Sequence, residues 1–396
     1  MKALELINRV KYSRTLYSLY YHICSSFLRL AKFFVRTDDN LIVFVSFGGK
    51  KFDDSPRCIY EGLLKDARFD DYRLVWAFVN PCDYVIPRGE IIRIDTFKYF
   101  RTLLRARCWV TNSGVERGLS FSGKHTFYLN TWHGTALKKM GMDVQARTKS
   151  FRSKAKSSKV DIMLAQGQYD VDLFSRVFRI VPEKFMITGL PRNDELVKDN
   201  HPSVILSIRH KLGISSDKKV VLYAPTFREY TKDSHSNVIH SVPFSFSKLQ
   251  DALGEECILL VRAHYEVIKL IGVKESPFVR NVSSYPNLNE LMLVSDLLVS
   301  DYSSIFFDYS ILGRPMICYA YDYQEYQDKR GMYFDIREEL HSYVEDEDTM
   351  IEEIKKALAS PDAYVSNVDM FRSKYVTEYG YATEKTLDII YDSIAN

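Results

Sequence analysis

The chain has 396 residues, too many for one ordinary hydrophobic core and enough for two or three domains of about 150 residues each. A composition that is 46% hydrophobic and 27% charged, with 17 Gly and 12 Pro, excludes disordered, collagen-like and low-complexity proteins. The net charge of +3 comes entirely from residues 1–36, which hold seven basic residues and one acidic residue, and this argues against a nucleic-acid-binding protein, which needs a basic face on its folded domain.

The N-terminal segment, residues 1–36, predicts a helix because it contains neither Gly nor Pro. Its longest uncharged run, residues 15–28, is well short of the about 20 apolar residues that cross a bilayer. Basic residues beside Tyr and Phe are typical of an amphipathic helix that lies in the interface of an anionic membrane. The same composition fits a helix packed on its own protein, and the sequence leaves both interpretations open.

Short apolar runs alternate with helix-length segments from Leu41 onward, first in a series of six and then in a series of four. Such runs without polar alternation are typical of parallel strands covered on both faces. The sequence therefore predicts an α/β fold with two Rossmann-like domains, residues 37–195 and 196–396, joined at the polar stretch 191–203 and facing a central cleft. The runs are LIVFVS, RLVWAFV, CWVT, TFYLN, DIMLA and FMITG, then VVLYA, CILLV, DLLVS and PMICY.

The candidate site residues lie in four loops that follow predicted strands, where the carboxyl ends of parallel strands border a binding crevice. The first loop is SFGGKKFDDSPR. Gly48 and Gly49 allow close backbone approach to an acceptor or a phosphate, and Lys50 adds a positive charge. Two glycines alone are a weak signal, since an ordinary strand-to-helix turn has the same composition.

The second loop, NTWHGTALKKMG, combines a histidine with a pair of lysines. His133 has a side chain whose ordinary pKa of about 6.5 suits a general base. Gly134, Lys138 and Lys139 suit contacts with an acceptor or a phosphate. A lone histidine is usually structural, but these neighbours favour a functional one.

The third element is the pair of strand ends YAPTFRE and LLVRAHY. Arg228 and Arg262 each carry a planar fork of donors that can hold phosphate oxygens in two bonds, and Thr226 adds a hydroxyl. His264 points to the same side of an extended segment as Arg262. A surface salt bridge with a satisfied histidine is an equally good interpretation of this element alone.

The fourth loop, SDYSS, separates a buried strand from a predicted helix that ends at Gly313. Asp301, Ser303 and Ser304 lie at the start of this helix, where free N–H groups and the positive end of the helix dipole favour an anion. The predicted ligand is a diphosphate. Simple capping of the helix by Asp301 or Ser303 is the alternative, because capping needs no ligand.

Several enzyme classes lack their usual signatures in this chain. The six cysteines are scattered without a C-x-x-C pair, which predicts reduced, cytosolic thiols. The nine histidines show no H-E-x-x-H spacing, and no dinucleotide-binding, P-loop or nucleophile-elbow glycine motif is present. The sequence thus implies no cofactor and no resident metal, although a diphosphate can bring its own Mg²⁺.

Taken in order, these segments resemble the CDP-glycerol glycerophosphotransferase family, the primases and polymerases of teichoic acid and related polyol-phosphate polymers. The matching segments are SFGGKKFDDSPR, TWHGTALKK, APTFRE, RAH, SDYSSIFFDYSILGRP and RGMYFD. The resemblance implies a glycosyltransferase-B-like fold and transfer of glycerol phosphate from CDP-glycerol, with release of CMP, to polyprenyl-diphosphate-linked acceptors at the cytoplasmic face of the membrane. It also matches His133 to the proposed base of the family and His264 to its second essential histidine.

The mechanism that fits both the residues and the resemblance is in-line attack of an acceptor hydroxyl on the phosphorus that carries the polyol. The family also contains ribitol-phosphate enzymes, so CDP-glycerol and CDP-ribitol are both candidate donors. Two further classes stay open at this point. One is a nucleotide-sugar glycosyltransferase with the same two-domain shape, and the other is a non-catalytic membrane-associated scaffold.

Overall fold

A computed structural model describes residues 13–143, 159–226, 228, 242–262 and 275–395. The chain divides into two compact units. The first unit contains the chain up to residue 133 together with residues 140–194 and 381–396, and the second contains residues 134–139 and 195–380. Each unit is built on one parallel sheet.

The two sheets have the same kind of strand order. The first has seven strands, β1 (Asp38–Val45), β2 (Arg73–Phe78), β3 (Glu90–Arg93), β4 (Ala106–Thr111), β5 (Phe127–Asn130), β6 (Ile162–Ala165) and β7 (Phe185–Ile187), in the order β3-β2-β1-β4-β5-β6-β7. The second has six, β8 (Lys219–Tyr223), β9 (Cys257–Val261), β10 (Val279–Asn281), β11 (Leu297–Ser300), β12 (Met316–Tyr319) and β13 (Tyr343–Val344), in the order β10-β9-β8-β11-β12-β13. In each sheet the first strand along the chain lies beside the fourth, β1 beside β4 and β8 beside β11, and the direction of the strand order reverses at this point.

Helices connect the strands. They are α1 (Arg14–Phe34), α2 (Asp54–Leu63), α3 (Phe97–Arg105), α4 (Gln168–Phe178), α5 (Glu195–Lys198), α6 (Pro202–Lys211), α7 (Phe246–Leu253), α8 (Leu288–Val294), α9 (Ile305–Ser310), α10 (Tyr323–Lys329), α11 (Ile336–Leu340), α12 (Glu347–Ala359), α13 (Asp362–Tyr375) and α14 (Ala382–Ile394). Several begin at a side-chain cap, as in α3, where the Thr96 hydroxyl accepts the N–H of Tyr99.

Burial on both sheet faces explains the unbroken apolar runs of the sequence. Ile42, Phe44 and Trp76 are fully inaccessible in the first sheet, as are Leu222 and Leu298 in the second. All ten predicted runs form strands. The pattern does not predict β3, β10 and β13, which lie at sheet edges, are short and lack a long apolar run.

The predicted domain boundaries differ from the observed units in two places. The last helix, α14, belongs to the first unit, because Leu387, Ile390 and Ile394 are buried in the same core as α2 and the first sheet. Residues 134–139, assigned from the sequence to the first domain, belong to the second unit. The predicted linker is also partly buried: Asn193 is 1% exposed and donates from Nδ2 to Oε1 of Gln166 at 2.8 Å.

Helix α1 has one packed face and one exposed apolar face. On the packed face Ser25 is fully buried and accepts the N–H of Ser120 at 3.1 Å, and the Tyr17 hydroxyl donates to the Gly118 carbonyl at 2.9 Å. No helix in the described part of the chain is both long enough and apolar enough to cross a bilayer. The exposed apolar face consists of Leu16, Leu19, Ile23, Phe27, Leu30 and Phe34, each between 44% and 83% exposed.

The docking of α14 depends on a carboxylate. Asp194 accepts the N–H of Ala382 at 2.9 Å through Oδ1 and that of Thr383 at 2.8 Å through Oδ2. We expect Asp194→Ala to lower the free energy of unfolding by about 1–3 kcal/mol, because two N–H groups at a helix start lose a charged acceptor. Urea unfolding measures this. The exposed carboxylate of β1 provides the control, since Asp39→Ala is expected to change stability by about 0.5 kcal/mol or less, and equal losses in both variants would contradict the expectation.

Candidate active site

His133 lies just beyond β5, at the carboxyl edge of the first sheet. Its Nδ1 is 2.7 Å from the carbonyl oxygen of Asn112, which follows β4. A carbonyl oxygen only accepts, so Nδ1 carries the proton and Nε2 keeps the lone pair of the neutral ring. The Trp132 ring stacks on the imidazole, with the centroids 4.0 Å apart. The fold therefore fixes both the tautomer and the orientation of a potential base.

Hydrogen bonds tie together the loops that follow β1, β4 and β5. The N–H of Phe47 donates to Oδ1 of Asn112 at 2.7 Å, and the N–H of Gly48 donates to Oγ of Ser113 at 3.0 Å. Asn130 donates from Nδ2 to the Ser113 carbonyl at 2.8 Å. Because these strands are neighbours in the sheet, the three loops meet at the point where the strand order reverses.

The glycine loop after β1 is held by packing. Gly49 has a φ of +83°, and a Cβ there would lie 3.1 Å from the Ala77 carbonyl oxygen. Its N–H donates to the Ser46 carbonyl at 2.8 Å, and the Gly48 N–H also has an internal acceptor. This arrangement does not favour the backbone phosphate contact predicted for Gly48 and Gly49. Lys50 is exposed beside them.

A buried ion pair acts on His133. Asp54 has a φ of +65°, which is rare for a residue other than glycine, and its side chain is 4% exposed. Its Oδ2 is 3.4 Å from Nη1 of Arg192, whose own N–H donates to Oγ of Ser55 at 3.3 Å. A strained backbone held in place by a buried ion pair is typical of a functional site.

The environment lowers the pKa of His133 below its ordinary value of 6.5. Burial is the main cause, because it penalises the charged ring. The Asn112 carbonyl and the Asp54 carboxylate raise the pKa, and the Arg192 guanidinium lowers it. The lowered pKa thus favours the neutral imidazole, which is the form able to accept a proton, more than in a free histidine.

The second unit builds its own polar group around Arg228, whose side chain is 3% exposed. Nε and Nη2 donate to the two oxygens of Asp322 at 2.8 and 2.9 Å. Nη2 also donates to the Tyr321 hydroxyl at 3.0 Å, and Nη1 donates to the Thr226 carbonyl at 2.7 Å and lies 2.9 Å from Oδ2 of Asp301. The guanidinium thus makes four hydrogen bonds to internal acceptors and an ion pair with Asp301. The structure therefore favours a supporting role for Arg228 over the predicted grip on phosphate.

Asp301 joins the ends of β8 and β11. Its Oδ1 accepts the N–H of Thr226 and the N–H of Tyr302, both at 2.7 Å. Burial alone raises the pKa of this carboxyl, but the Arg228 charge and these donors bring it below its ordinary value. Asp301 is therefore ionised, and it fixes the loop instead of capping the helix that follows.

Three other predicted residues border the same edge. Arg262 follows β9 and donates from Nη1 to the carbonyls of Val282 and Tyr285, at 3.2 and 2.6 Å. Ser303 accepts the N–H of Ile305 at 3.3 Å, so it caps α9. Ser304 precedes the helix without a side-chain cap bond. Helix α9 ends at Ser310, before the predicted Gly313.

The segment after His133 pairs within the second unit. Lys138 forms an antiparallel bridge with Met332, and the N–H of Lys139 donates to the Gly331 carbonyl at 3.0 Å. Arg330 donates to the Lys139 carbonyl. Two motifs that lie far apart in the sequence, TWHGTALKK and RGMYFD, are thus joined by backbone pairing.

Sequence reasoning places most of these residues at strand ends but misses four that matter. Asn112 and Asp322 follow β4 and β12. The strand-end rule, by which polar residues just after a strand are candidate site residues, would find both if it were applied to every strand. Asp54 and Arg192 carry no such signal, because one looks like a helix start and the other like a linker residue. The predicted His264 lies outside the described residues.

The ion pair beside His133 has a measurable effect. We expect Asp54→Asn to lower the pKa of His133 further, because a charge that favours the imidazolium is lost, and Arg192→Gln to raise it. Asn tolerates the left-handed backbone at this position, so the first variant should fold. An NMR pH titration of the His133 ring checks both directions, with Asp39→Asn as the control. Shifts of the same sign in the two site variants would contradict the arrangement.

Comparisons with known proteins agree on one family. Residues 27–392 match the model of CDP-glycerol:poly(glycerophosphate) glycerophosphotransferases. The chain is 33% identical over 366 residues to a teichoic acid glycerol-phosphate transferase of Staphylococcus aureus, covering 89% of this chain and 93% of that protein. It is 34% identical over 369 residues to a teichoic acid poly(glycerol phosphate) polymerase of Bacillus subtilis, covering 88% of this chain and 48% of the polymerase.

The solved structure of the wall teichoic acid polymerase TagF matches with a TM-score of 0.81 at 30% identity, over 91% of this chain and 90% of that one. This chain belongs to the CDP-glycerol:poly(glycerophosphate) glycerophosphotransferase family.

Proposed function

We propose that the chain transfers glycerol phosphate from CDP-glycerol to a hydroxyl of a polyprenyl-diphosphate-linked acceptor and releases CMP. Membership of the family makes it a CDP-glycerol glycerophosphotransferase of teichoic acid biosynthesis. The observation that carries the proposal is the base: the Asn112 carbonyl holds Nδ1–H of His133 and leaves Nε2 to accept a proton. The family match and this base together favour phosphotransfer over a glycosyltransferase or a scaffold.

The reaction needs one side chain that accepts a proton and a CDP-glycerol molecule held in the right position. The acceptor oxygen forms a bond to the phosphorus that carries glycerol, and the bond from that phosphorus to the oxygen of CMP breaks. The hydroxyl proton moves to Nε2 of His133, and CMP leaves with the electron pair. Phosphoryl-type transfer otherwise depends on positioning and on neutralised charge. The lowered pKa of His133 keeps the base unprotonated when the acceptor arrives.

We assign the donor diphosphate to the edge of the second sheet. Arg262, Ser303 and Ser304 are the proposed contacts there, and His264 stays the proposed second histidine. Thr226, Arg228 and Asp301 hold this edge in shape through the contacts described above. Gly134, Lys138 and Lys139 remain the proposed contacts with acceptor or phosphate, together with Lys50.

Glycerol is the favoured polyol over ribitol. The family description and both relatives named above refer to glycerol phosphate. A histidine-to-asparagine variant of TagF, solved after a soak with CDPG, matches this chain at 30% identity with a TM-score of 0.83. The names of the same relatives support a place in teichoic acid synthesis.

We propose that helix α1 binds the membrane peripherally, at its cytoplasmic face. Its exposed apolar face is contiguous along the helix, and the segment around it carries the basic excess of the chain. Apolar side chains enter the acyl boundary while basic residues meet anionic headgroups. The packed face anchors the enzyme to the helix, so the catalytic units would be held close to a lipid-linked acceptor.

Removal of the base is the direct test of the reaction. We expect His133→Ala to lower the transfer rate by about 10²–10⁴-fold, the usual contribution of a general base. Purified protein is incubated with CDP-glycerol and a soluble acceptor analogue, and CMP is measured. The exposed histidine of the same unit, changed as His125→Ala, is the matched control and should keep full activity. Full turnover by a folded His133→Ala protein would remove His133 from the mechanism.

The membrane proposal is tested on the exposed apolar face alone. The triple variant Leu19→Ser, Ile23→Ser, Phe27→Ser should lower binding to phosphatidylglycerol vesicles by about ten-fold or more, since each fully buried apolar side chain contributes about 1.5–3 kcal/mol. Activity on the soluble acceptor analogue should stay unchanged. The control replaces three exposed apolar residues elsewhere, Val85, Phe97 and Leu206, by Ser. Equal sedimentation of all three proteins with vesicles would place the membrane contact elsewhere.

A further inference from the structure

A cavity of about 390 Å³ opens in the first unit, away from His133. Its lining comes from the segments that precede β5, β6 and β7, including Thr126, Asp161 and Lys184. Residues before parallel strands lie at the amino edge of a sheet, whereas His133 follows β5 at the carboxyl edge. Five residue steps at about 3.3 Å each lead from Thr126, which lines the cavity before β5, to Thr131, which follows β5, so roughly 16 Å of backbone lies between the cavity and the segment that carries the base.

The lining is strongly cationic. Lys124, Lys159 and Arg179 are exposed around the opening, and the described residues offer them no ion pair. Lys184 is half-buried and donates to the Val160 carbonyl at 2.6 Å. Four positive side chains thus surround one cavity of the first unit. They lie apart from His133, which is at the opposite edge of the sheet.

The one acidic residue in the lining is already engaged by the backbone. Asp161 accepts the N–H of Tyr128 at 2.8 Å through Oδ2, and its own N–H donates to the Tyr128 carbonyl. The lining residues thus hold four positive charges and one negative charge, and the Glu116 carboxylate, which accepts the N–H of the lining residue Ser122 at 3.0 Å, acts on Lys159 from outside the lining. A concave site with this excess concentrates anions of two or three charges.

Arg179 lines the cavity from the end of α4. It ends α4 with a φ of +55°, in the left-handed region, and its N–H donates to the Ser175 carbonyl. This left-handed conformation is the ordinary way to end a helix, because it lets the N–H groups of Arg179 and Ile180 both donate to the Ser175 carbonyl. A guanidinium in this position offers the planar fork that recognises phosphate oxygens in two bonds.

We propose that this cavity is a second anion site, which binds a phosphate or diphosphate group through Lys124, Lys159 and Arg179. The site is separate from the residues assigned to catalysis, and the proposal does not depend on the transfer reaction. The phosphate can belong to a soluble molecule or to a lipid headgroup. The neighbouring helix favours the second source, because the stem of Lys32 in α1 packs on Gly123, which lines the cavity.

Inorganic diphosphate titrated calorimetrically into the full-length protein tests the site. The pocket variant carries Lys124→Gln, Lys159→Gln and Arg179→Gln, all at exposed positions where folding should be unaffected. The control variant removes the same charge from exposed positions of the same unit, as Lys65→Gln, Arg93→Gln and Arg101→Gln. We expect the pocket variant to lose at least about ten-fold in diphosphate affinity, as one lost charged contact implies, and the control to bind like the wild type.

Vesicles of phosphatidylcholine, with and without phosphatidylglycerol, identify the source of the phosphate. A loss of phosphatidylglycerol-dependent binding in the pocket variant alone supports a lipid headgroup, and unchanged vesicle binding beside lost diphosphate binding supports a soluble ligand. Unchanged diphosphate affinity in the pocket variant overturns the site, and so does an equal loss in the pocket and control variants. The pocket variant should keep full transfer to the soluble acceptor analogue, so failure of the transfer proposal would show in the wild type and leave the titration interpretable.

Discussion

The reversal of strand order is the constraint on which both units depend. In each sheet the chain moves outward over three strands and then returns to the other side of the first, so β4 lies beside β1 and β11 beside β8. Loops that leave neighbouring strands in opposite directions open a crevice at the carboxyl edge. The group of His133, Asn112 and Phe47 occupies this position in one unit, and the group of Arg228 and Asp301 occupies it in the other. Topology thus selects where polar side chains collect before any ligand is considered.

The loops around such a crevice leave polar groups, backbone N–H and C=O among them, that need hydrogen-bond partners inside the protein. One residue in each unit is the partner of more than one such group: Asn112 in the first unit and Arg228 in the second. Asn112 accepts from Phe47 through its side chain and from His133 through its carbonyl, so one residue shapes the loop and orients the base. Arg228 makes four hydrogen bonds to internal acceptors and an ion pair with Asp301. Breaking a buried pair such as Arg228 and Asp301 costs about 3–5 kcal/mol, because the partner is left as an unpaired charge. Rigid edges of this strength suit a reaction that depends on positioning more than on covalent chemistry.

The sequence predicts the parts of the fold that burial dictates. Central strands need apolar side chains on both faces, so all ten long runs are found, while the edge strands β3, β10 and β13 carry no such demand. The strand-end rule also finds His133 and Asp301. It cannot give the function of Arg228, because an arginine in such a loop can bind either a phosphate or two carboxylates. Only the contacts of the guanidinium in the structure distinguish these two functions. Nor does local pattern reveal that residues 137–139 pair with 331–333, because that pairing joins segments almost 200 residues apart.

Helix α1 explains why the composition of the N-terminal segment fits both a helix in a membrane interface and a helix packed on its own protein. A helix that only packs on its own protein needs one apolar stripe and a polar outer face. In α1 the stripe around Ser25 and Leu28 faces the protein, yet the opposite face carries Leu19, Ile23 and Phe27 where polar residues would be expected. Exposing a contiguous apolar stripe to water is unfavourable, and such patches mark surfaces that bind a partner. In the membrane proposal, the basic residues of the segment favour an anionic partner. Packing on the protein and the membrane binding proposed above therefore belong to two faces of one helix, and no measure that averages over the helix can separate them.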